Sequence, residues 1–347
     1  MSIKKEFFGV ASGGEDVYKY TMTNKNGFKI SVLNYGAIIQ SITFADGEEL
    51  VAGYNSIKDY EINSPFFGAI VGRVAGRIKN GTFRINDKEY KVTQNFGKHT
   101  LHGGKKGYDK SVWKVSEFTG EKECSVTLEY ISHDNEEGFP GEVINTVKYI
   151  LTNDNEIILN IKAVSDRDTF LNPANHTYFN LSGNFKENIL SHKLSVNSDY
   201  VCELDSEMLP NGNKISSAGS VFDFRELKKI SEGIDKNDEQ ILRAGEYDHP
   251  FILKKNVSGS QITLKHEKSG RYLEISTNQN VVVFYTGNGL DASMVLYDKW
   301  PCSKYSALCL ETQNYPDLLN IEKYKNCYLK AKDEYFSYTK YKFGIKK

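Results

Sequence analysis

Cysteine is scarce in this chain of 347 residues, and its distribution argues against a fold built on disulfides. The cysteines number five, which is odd, and no C-x-x-C pair occurs among them. We therefore expect free thiols in a reducing compartment. The cysteines are Cys124, Cys202, Cys302, Cys309 and Cys327.

The chain also lacks an excess of charge of one sign and a long apolar run. Lysine and arginine total 44 against 45 aspartates and glutamates, so no strong field favours nucleic acid or an anionic membrane. No stretch approaches the roughly 18 apolar residues of a membrane span, and residues 1–9 lack a signal-peptide core. These absences predict a cytoplasmic protein with neither a nucleic-acid nor a membrane partner.

Proline and methionine are few, while tyrosine and phenylalanine are abundant, and this bias favours strands over helices. Short runs rich in β-branched or alternating residues are separated by turn residues, which is typical of an all-β sandwich or barrel. We find no repeat or linker and predict one domain over residues 1–347, with a helix-like excursion at 222–242. The predicted strands are 28–33, 37–44, 125–132, 142–152, 156–164, 193–201, 260–266, 271–277, 281–285, 305–310 and 335–343.

The stretch Asn172–Gly183 brings an imidazole together with aromatic and amide groups. His176 lies beside Tyr178 and Phe179, between turn residues. Aromatic faces, hydrogen-bonding groups and a proton carrier are the parts of a sugar site. From this stretch alone, a buried histidine with only a structural role is an equally good interpretation.

Two further motifs resemble known ligand sites but fail their tests. Gly72–Ile78 lacks the G-x-G-x-x-G spacing of a nucleotide loop, so Arg73 and Arg77 either form salt bridges or bind hydroxyl groups. His99 and His102 have helical spacing, but the glycines that follow argue against a helix and no further ligand stands nearby. We therefore expect no metal here.

Two carboxylates complete the set of candidates. Asp248 precedes His249 and a proline, where an ordinary turn is the simpler interpretation. Glu311 follows the apolar run 305–310, and burying a carboxylate there is costly unless it has a partner or a function. With an imidazole for acid work and Glu311 for base work, the residues favour proton transfer on a polyhydroxylated substrate.

Several stretches together resemble the aldose 1-epimerases, also called galactose mutarotases. They follow in the family's order along nearly the whole chain. The matching stretches are Asn34–Ala37, Gly72–Ile78, Leu101–Gly104 with Lys110 and Trp113, Asn172–Gly183, Tyr247–Phe251, Phe284–Asn288 and Glu311–Asp317.

The resemblance implies a large antiparallel β-sandwich with an open sugar-binding cleft, and no metal or cofactor. It also implies roles for five residues. Glu311 is the general base at the C1 hydroxyl and His176 the general acid at the ring oxygen, while Arg77 and Asp248 hold sugar hydroxyls. His102 is the second imidazole near the reacting end. The substrate is a free monosaccharide.

The sequence departs from the family's pattern at two places. Gly76 stands where many members carry asparagine, and 280–283 reads Asn-Val-Val-Val where a Pro-Gly and a glutamine are frequent. Three rival functions remain: a mutarotase for hexose 6-phosphates that uses Lys105 and Lys106, a non-catalytic sugar-binding protein, and a glycoside hydrolase. The sequence does not rank the aldoses, and it leaves a monomer and a homodimer open.

Overall fold

The computed structural model describes residues 1–62, 65–235, 237–255 and 257–346. Within these ranges most of the regular structure is strand. The two α-helices, Ile57–Ile62 and Glu239–Ala244, are short. The described 3₁₀ turns are Lys79–Gly81, Tyr108–Lys110, Glu136–Gly138, Ile189–Ser191, Ile230–Gly233, Leu318–Asn320 and Glu322–Tyr324.

The largest sheet has nine antiparallel strands and brings together the middle and the end of the chain. Its long strands alternate between buried and exposed residues, as expected for a sheet with one covered face. In spatial order the strands are Lys114–Thr119, Glu123–Ser132, Val143–Thr152, Glu156–Ser165, Glu334–Ile345, Arg271–Thr277, Ile262–His266, Lys193–Val196 and Lys228–Lys229.

A second, six-stranded sheet lies against the first, and a four-stranded sheet is formed by the N-terminal segment. The six-stranded sheet has the order Tyr178–Phe179, Leu308–Gln313, Val281–Tyr285, Asp248–Leu253, Ser198–Leu204 and Pro210–Ser216. The N-terminal sheet contains Ser2–Val10, Asp16–Thr23, Lys29–Leu33 and Ile39–Thr43. The two-stranded ribbons are Ile70–Val71 with Ala174–Asn175, Arg77–Ile78 with Thr100–Leu101, Thr82–Ile85 with Lys88–Lys91, and Val295–Leu296 with Trp300–Pro301.

The nine-stranded and six-stranded sheets share one hydrophobic core. The ring of Phe179 lies 6.0 Å from that of Tyr341 across the interface. The hydroxyls of Thr312 and Thr339 are 2.6 Å apart and join the two sheets. Sheets whose inner faces interdigitate in this way form a sandwich, so the predicted all-β, antiparallel sandwich is confirmed.

Alternation along Leu308–Gln313 decides which residues are available for chemistry. Leu308, Leu310 and Thr312 face the nine-stranded sheet. Successive side chains of a strand point to opposite faces, so Cys309, Glu311 and Gln313 share the other face. That face is the floor of the main cleft of the molecule.

Most predicted strands are present within a few residues, and two differ in an informative way. The predicted strand 193–201 is two strands in two sheets, divided at Asn197. The predicted strand 305–310 begins at Leu308 and continues to Gln313, so Glu311 lies inside the strand and not beyond its end. The apolar run stops at residue 310, but the backbone ladder continues because Glu311 pairs with Val283.

The predicted excursion at 222–242 contains little helix. Its regular structure is Lys228–Lys229, the 3₁₀ turn Ile230–Gly233 and the first residues of the helix Glu239–Ala244, while Lys236 lies outside the described residues. Asp238 caps that helix through its side chain.

No helix among the described residues is long and apolar enough to span a membrane. The five cysteines are unpaired, four of them buried and Cys327 exposed.

Candidate active site

A cleft of about 370 Å³ opens on the outer face of the six-stranded sheet. The sheet supplies its floor, and one wall is the ribbon formed by Arg77–Ile78 and Thr100–Leu101. The Asp317 carboxylate accepts a hydrogen bond from the backbone N–H of Lys79 at 3.1 Å. This bond ties the wall to the segment that follows Glu311.

His176 is fixed in the cleft by its backbone and by both ring nitrogens. Its N–H donates to the Ala69 carbonyl at 2.8 Å, and its carbonyl accepts from Gly68. Nε2 lies 3.5 Å from Glu311 Oε1, and Nδ1 lies 3.5 Å from Cys309 Sγ. Burial lowers the pKa of His176 to about 4, because the imidazolium loses its hydration. Burial therefore favours the neutral ring near pH 7.

Glu311 is a buried carboxyl group with few partners. Its side chain is 5% exposed. Within the described ranges, its partner is Nε2 of His176. Burial raises the pKa of Glu311 well above its ordinary value, and the negative charge of Asp248 adds to this effect while Arg77 opposes it. Burial thus favours the uncharged forms of both groups, a neutral imidazole beside a protonated carboxyl group.

Arg77 and Asp248 form an ion pair in the same cleft. Arg77 Nη1 lies 3.6 Å from Asp248 Oδ2, and the guanidinium stands over the ring of Phe96 at 5.2 Å. Arg77 Nε has no hydrogen-bond partner among the described residues. Burial raises the pKa of Asp248, although Arg77 counteracts it. The pair combines fixed donors and acceptors of the kind that vicinal hydroxyls require.

His102 completes the constellation from the ribbon side. Its ring centroid lies 5.0 Å from that of His176 and 4.6 Å from that of Phe66. Its Nδ1 accepts a hydrogen bond from the Gly76 N–H at 3.2 Å, so the neutral ring carries its proton on Nε2. Burial, with His176 and Arg77 nearby, holds the pKa of His102 well below its ordinary value.

The glycine after His102 has a steric reason. A Cβ on Gly103 would lie 1.8 Å from the Gly72 carbonyl oxygen, which no side chain permits. Gly103 also has a φ of +90°, in the left-handed region that favours glycine. The two Gly-rich motifs of the sequence are therefore in direct contact, and this contact positions His102.

With this geometry established, comparison with known proteins places the chain. A family model for aldose 1-epimerase matches residues 18–342. The chain belongs to the aldose 1-epimerase family. A galactose mutarotase of Bos taurus is 33% identical over 350 residues, which is 99% of this chain and 99% of the relative. An aldose 1-epimerase of Haemophilus influenzae is 33% identical over 343 residues, 96% of this chain and 97% of the relative.

A solved structure agrees with these relatives. The crystal structure of a galactose 1-epimerase from Lactobacillus acidophilus superposes with a TM-score of 0.89 at 29% identity, and the match covers 100% of each chain. The family resemblance that the motifs indicated is thereby confirmed.

The structure brings together all five residues predicted for the aldose 1-epimerase site. The lining of this cleft includes Arg77, His102, His176, Asp248 and Glu311. Their individual roles remain predictions.

Other polar candidates have structural partners instead. Arg73 is buried and donates to the carbonyls of Pro140, Ser132 and His133. His99 Nδ1 accepts from the Asn80 N–H, and the described residues contain no cluster suited to a metal ion.

Sequence reasoning missed several residues of the site. Phe66 lies against both histidines, and Phe96 stands at the rim beside Arg77. Cys309 contacts His176 from below. The signal for Cys309 was present, because it stands two residues before Glu311 in a strand and therefore shares its face.

The two departures from the family's pattern both lie in the cleft. Gly76 uses its backbone N–H to orient His102, and its φ of +76° suits glycine. Val283 pairs with Glu311 in the sheet and lines the cleft beside it. The wall next to the carboxyl group is therefore apolar in this chain.

Proposed function

We propose that this protein is an aldose 1-epimerase that interconverts the α and β anomers of free aldohexoses such as D-galactose and D-glucose. One observation carries the proposal: His176 Nε2 and Glu311 Oε1 lie 3.5 Å apart in an open cleft. A proton donor and a proton acceptor at this spacing suit a reaction that takes a proton from one oxygen and delivers one to its neighbour.

Ring opening uses the ionised form of the pair. The Glu311 carboxylate takes the proton of the C1 hydroxyl, and the His176 imidazolium gives its Nε2 proton to the ring oxygen. The C1–O bond to the ring oxygen breaks as the C1 carbonyl forms, so the free aldehyde leaves a protonated carboxyl group and a neutral imidazole. After rotation about C1–C2, the same two groups reverse their roles and the ring closes on the other face.

The electrostatics of the site fit the ring-opened stage of this cycle. Burial favours the neutral imidazole and the protonated carboxyl group, and the pair has this form once the ring is open. Before opening, sugar hydroxyls that donate to Glu311 favour its ionised form, and the proton moves to His176 across the short contact.

The remaining groups hold the sugar. Arg77 donates to hydroxyl oxygens and Asp248 accepts from hydroxyl groups, while the Nε2–H of His102 donates near the reacting end. Phe66 and Tyr178 flank His176 with ring centroids at 5.7 and 5.1 Å and offer apolar faces to C–H groups. Orientation of this kind aligns C1 and the ring oxygen with the two proton carriers.

The cleft favours free sugars over hexose 6-phosphates. Among the described residues that line it, Arg77 is the cationic side chain, and Asp248 already neutralises it. Lys105 and Lys106 do not line the cleft, and their backbone N–H groups donate to Glu137 at 3.0 and 2.9 Å. A dianionic phosphate therefore has no unpaired cationic partner among the described residues that line the cleft.

A non-catalytic binding protein and a glycoside hydrolase are less well supported. Binding needs neither a proton donor nor a base, yet the cleft holds both in contact. A hydrolase needs two carboxyl groups that flank the bond. Asp248 is in the cleft, but its ion pair with Arg77 suits it to binding.

The test follows the optical rotation of freshly dissolved α-D-galactose and α-D-glucose with the wild-type protein and with His176→Asn. We expect the wild type to accelerate the decay and the variant to lose most of the acceleration. No acceleration by the wild type on either sugar would overturn the proposal, and galactose 6-phosphate and glucose 6-phosphate would be measured next. Equal rates for the two proteins would remove His176 from the mechanism.

A further inference from the structure

The imidazole of His176 is held from both sides by one strand. Cys309 and Glu311 stand two residues apart in Leu308–Gln313 and share its cleft face. The thiol lies 3.5 Å from Nδ1 and the carboxyl group 3.5 Å from Nε2. The ring therefore spans the space between the two side chains.

The thiol of Cys309 is a protonated and adaptable partner. The residue is fully buried, and burial with the charges of Glu311 and Asp248 raises the pKa of the thiol well above its ordinary value. A protonated thiol is a weak donor through S–H and a weak acceptor through sulfur. It therefore contacts Nδ1 whether or not that nitrogen carries a proton.

We propose that Cys309 is a positioning residue of this enzyme, which orients His176 for proton transfer at Nε2 by accepting a hydrogen bond from Nδ1–H. When the imidazolium has given its Nε2 proton to the ring oxygen, Nδ1–H donates to sulfur. The inference rests on the proposed function.

The other histidine of the cleft shows why the partner matters. Nδ1 of His102 faces the backbone N–H of Gly76, a group that only donates. This partner fixes one tautomer, which suits a histidine that binds a hydroxyl. A carboxylate at Nδ1 would fix the opposite tautomer and raise the basicity of the ring. The thiol at His176 is a weak acceptor that holds the Nδ1–H proton without the charge of a carboxylate, which suits a histidine that must gain and lose a proton at Nε2.

The kinetic test compares Cys309→Ala, Cys309→Ser and the control Cys124→Ala. Cys124 is equally buried but lies in the sandwich core, with Sγ 4.0 Å from the Ser2 carbonyl oxygen. We expect Cys309→Ala to lower kcat about fivefold with KM unchanged, as the loss of one weak hydrogen bond predicts. Cys309→Ser should recover most of kcat, because a hydroxyl also donates and accepts, and the control should keep the wild-type values.

The spectroscopic test does not depend on activity. Nitrogen-15 chemical shifts of the histidine rings report the tautomer, and comparison with His176→Asn assigns the signal of His176. We expect the Nδ1–H tautomer in the wild type and in Cys309→Ser, and a loss of this bias in Cys309→Ala. An unchanged tautomer together with wild-type kcat in Cys309→Ala would overturn the inference.

The two proposals fail in different ways. A wild type without mutarotase activity defeats the proposed function while the nitrogen-15 spectra still decide the role of the thiol. A fall of kcat in Cys124→Ala equal to that in Cys309→Ala would assign the effect to packing and overturn the inference.

Discussion

Glu49 and Glu311 are both buried carboxyl groups, yet their surroundings differ in kind. Glu49 accepts hydrogen bonds from Ser41 Oγ at 2.6 Å and from the backbone N–H groups of Ile42 and Leu50 at 2.8 and 3.1 Å. Glu311 has the 3.5 Å contact to His176 and faces an open cleft. Burial raises the pKa of both groups, that of Glu49 to about 7.

The difference separates a structural carboxyl group from a chemical one. Glu49 is satisfied by neighbours that the fold fixes, so it completes the structure and has no capacity for a ligand. Glu311 keeps its lone pairs for a group that the folded chain does not supply. A raised pKa alone therefore does not identify an active site, because burial raises the pKa of both groups. The hydrogen-bond partners of each carboxyl group make the distinction.

Arg73 and Arg77 repeat this contrast within one motif. The guanidinium of Arg73 donates hydrogen bonds to the carbonyls of Ser132, His133 and Pro140. Arg77 pairs with Asp248 in the cleft and keeps Nε without a partner among the described residues. The residue with satisfied donors supports the fold, and the other is available to a sugar.

The largest expected effect distinguishes Glu311 from Glu49. Glu311→Gln should lower the rate of mutarotation by about 10²–10⁴-fold, because an amide cannot take the proton from the C1 hydroxyl. Glu49→Gln should keep a rate close to that of the wild type. Polarimetry on α-D-galactose measures both. Substantial activity in Glu311→Gln would contradict concerted transfer through this residue.

The arginine pair is the next test. Arg77→Lys should raise KM about tenfold with a smaller change in kcat, because lysine lacks the planar fork that contacts two hydroxyls. Arg73→Lys should leave KM unchanged and lower the free energy of unfolding by about 2 kcal/mol through lost hydrogen bonds. Steady-state kinetics and urea unfolding separate the two results. A raised KM in both variants would dissolve the distinction.

Stability should show the reverse order for the two glutamates. Glu49→Gln should lower the free energy of unfolding by about 1–3 kcal/mol, because an amide NH₂ group opposes donors that the carboxyl oxygens now satisfy. Glu311→Gln should unfold at nearly the urea concentration of the wild type. If Glu311→Gln were the less stable variant, the carboxyl group in the cleft would have a structural role after all.

The stability of the wild type should also depend on pH through Glu49. The pKa of Glu49 is raised from 4.5 to about 7 in the folded chain, so its contribution is fully present below pH 4.5 and is lost as the pH rises through about 7. The stability gap between the wild type and Glu49→Gln should therefore shrink between these values, by at most about 1.4 kcal/mol per pH unit. Unfolding at several pH values measures the gap. A gap that widens with pH would show that hydrogen bonds to the ionised form outweigh burial.

The sequence predicted the all-β fold and the five cleft residues, but it did not predict which face each residue occupies. Asp248 and His249 stand next to each other and looked like one cluster, yet only Asp248 lines the cleft. His249 is buried on the core face with its ring 4.8 Å from that of Phe222. Alternation explains this result, but only once the strand and its orientation are known.

A pattern of apolar residues also could not predict where the strand that contains Glu311 ends. Thr312 and Gln313 look polar in the sequence, yet both are buried. Thr312 reaches the core by a hydrogen bond with Thr339 of the facing sheet, 27 residues further along the chain. Such pairing depends on tertiary contacts, which the local sequence does not contain.

The side chains of the strand Leu308–Gln313 alternate between the core and the cleft with a period of two residues. Inserting one residue directly after Cys309 would turn the carboxyl group of Glu311 toward the hydrophobic core and would turn a leucine toward the sugar-binding cleft. An insertion in the loop 286–307 would leave the alternation untouched. The chemistry of this protein is thus protected against changes of length only in its loops, and within the strand every deletion or insertion of a single residue is a change of function.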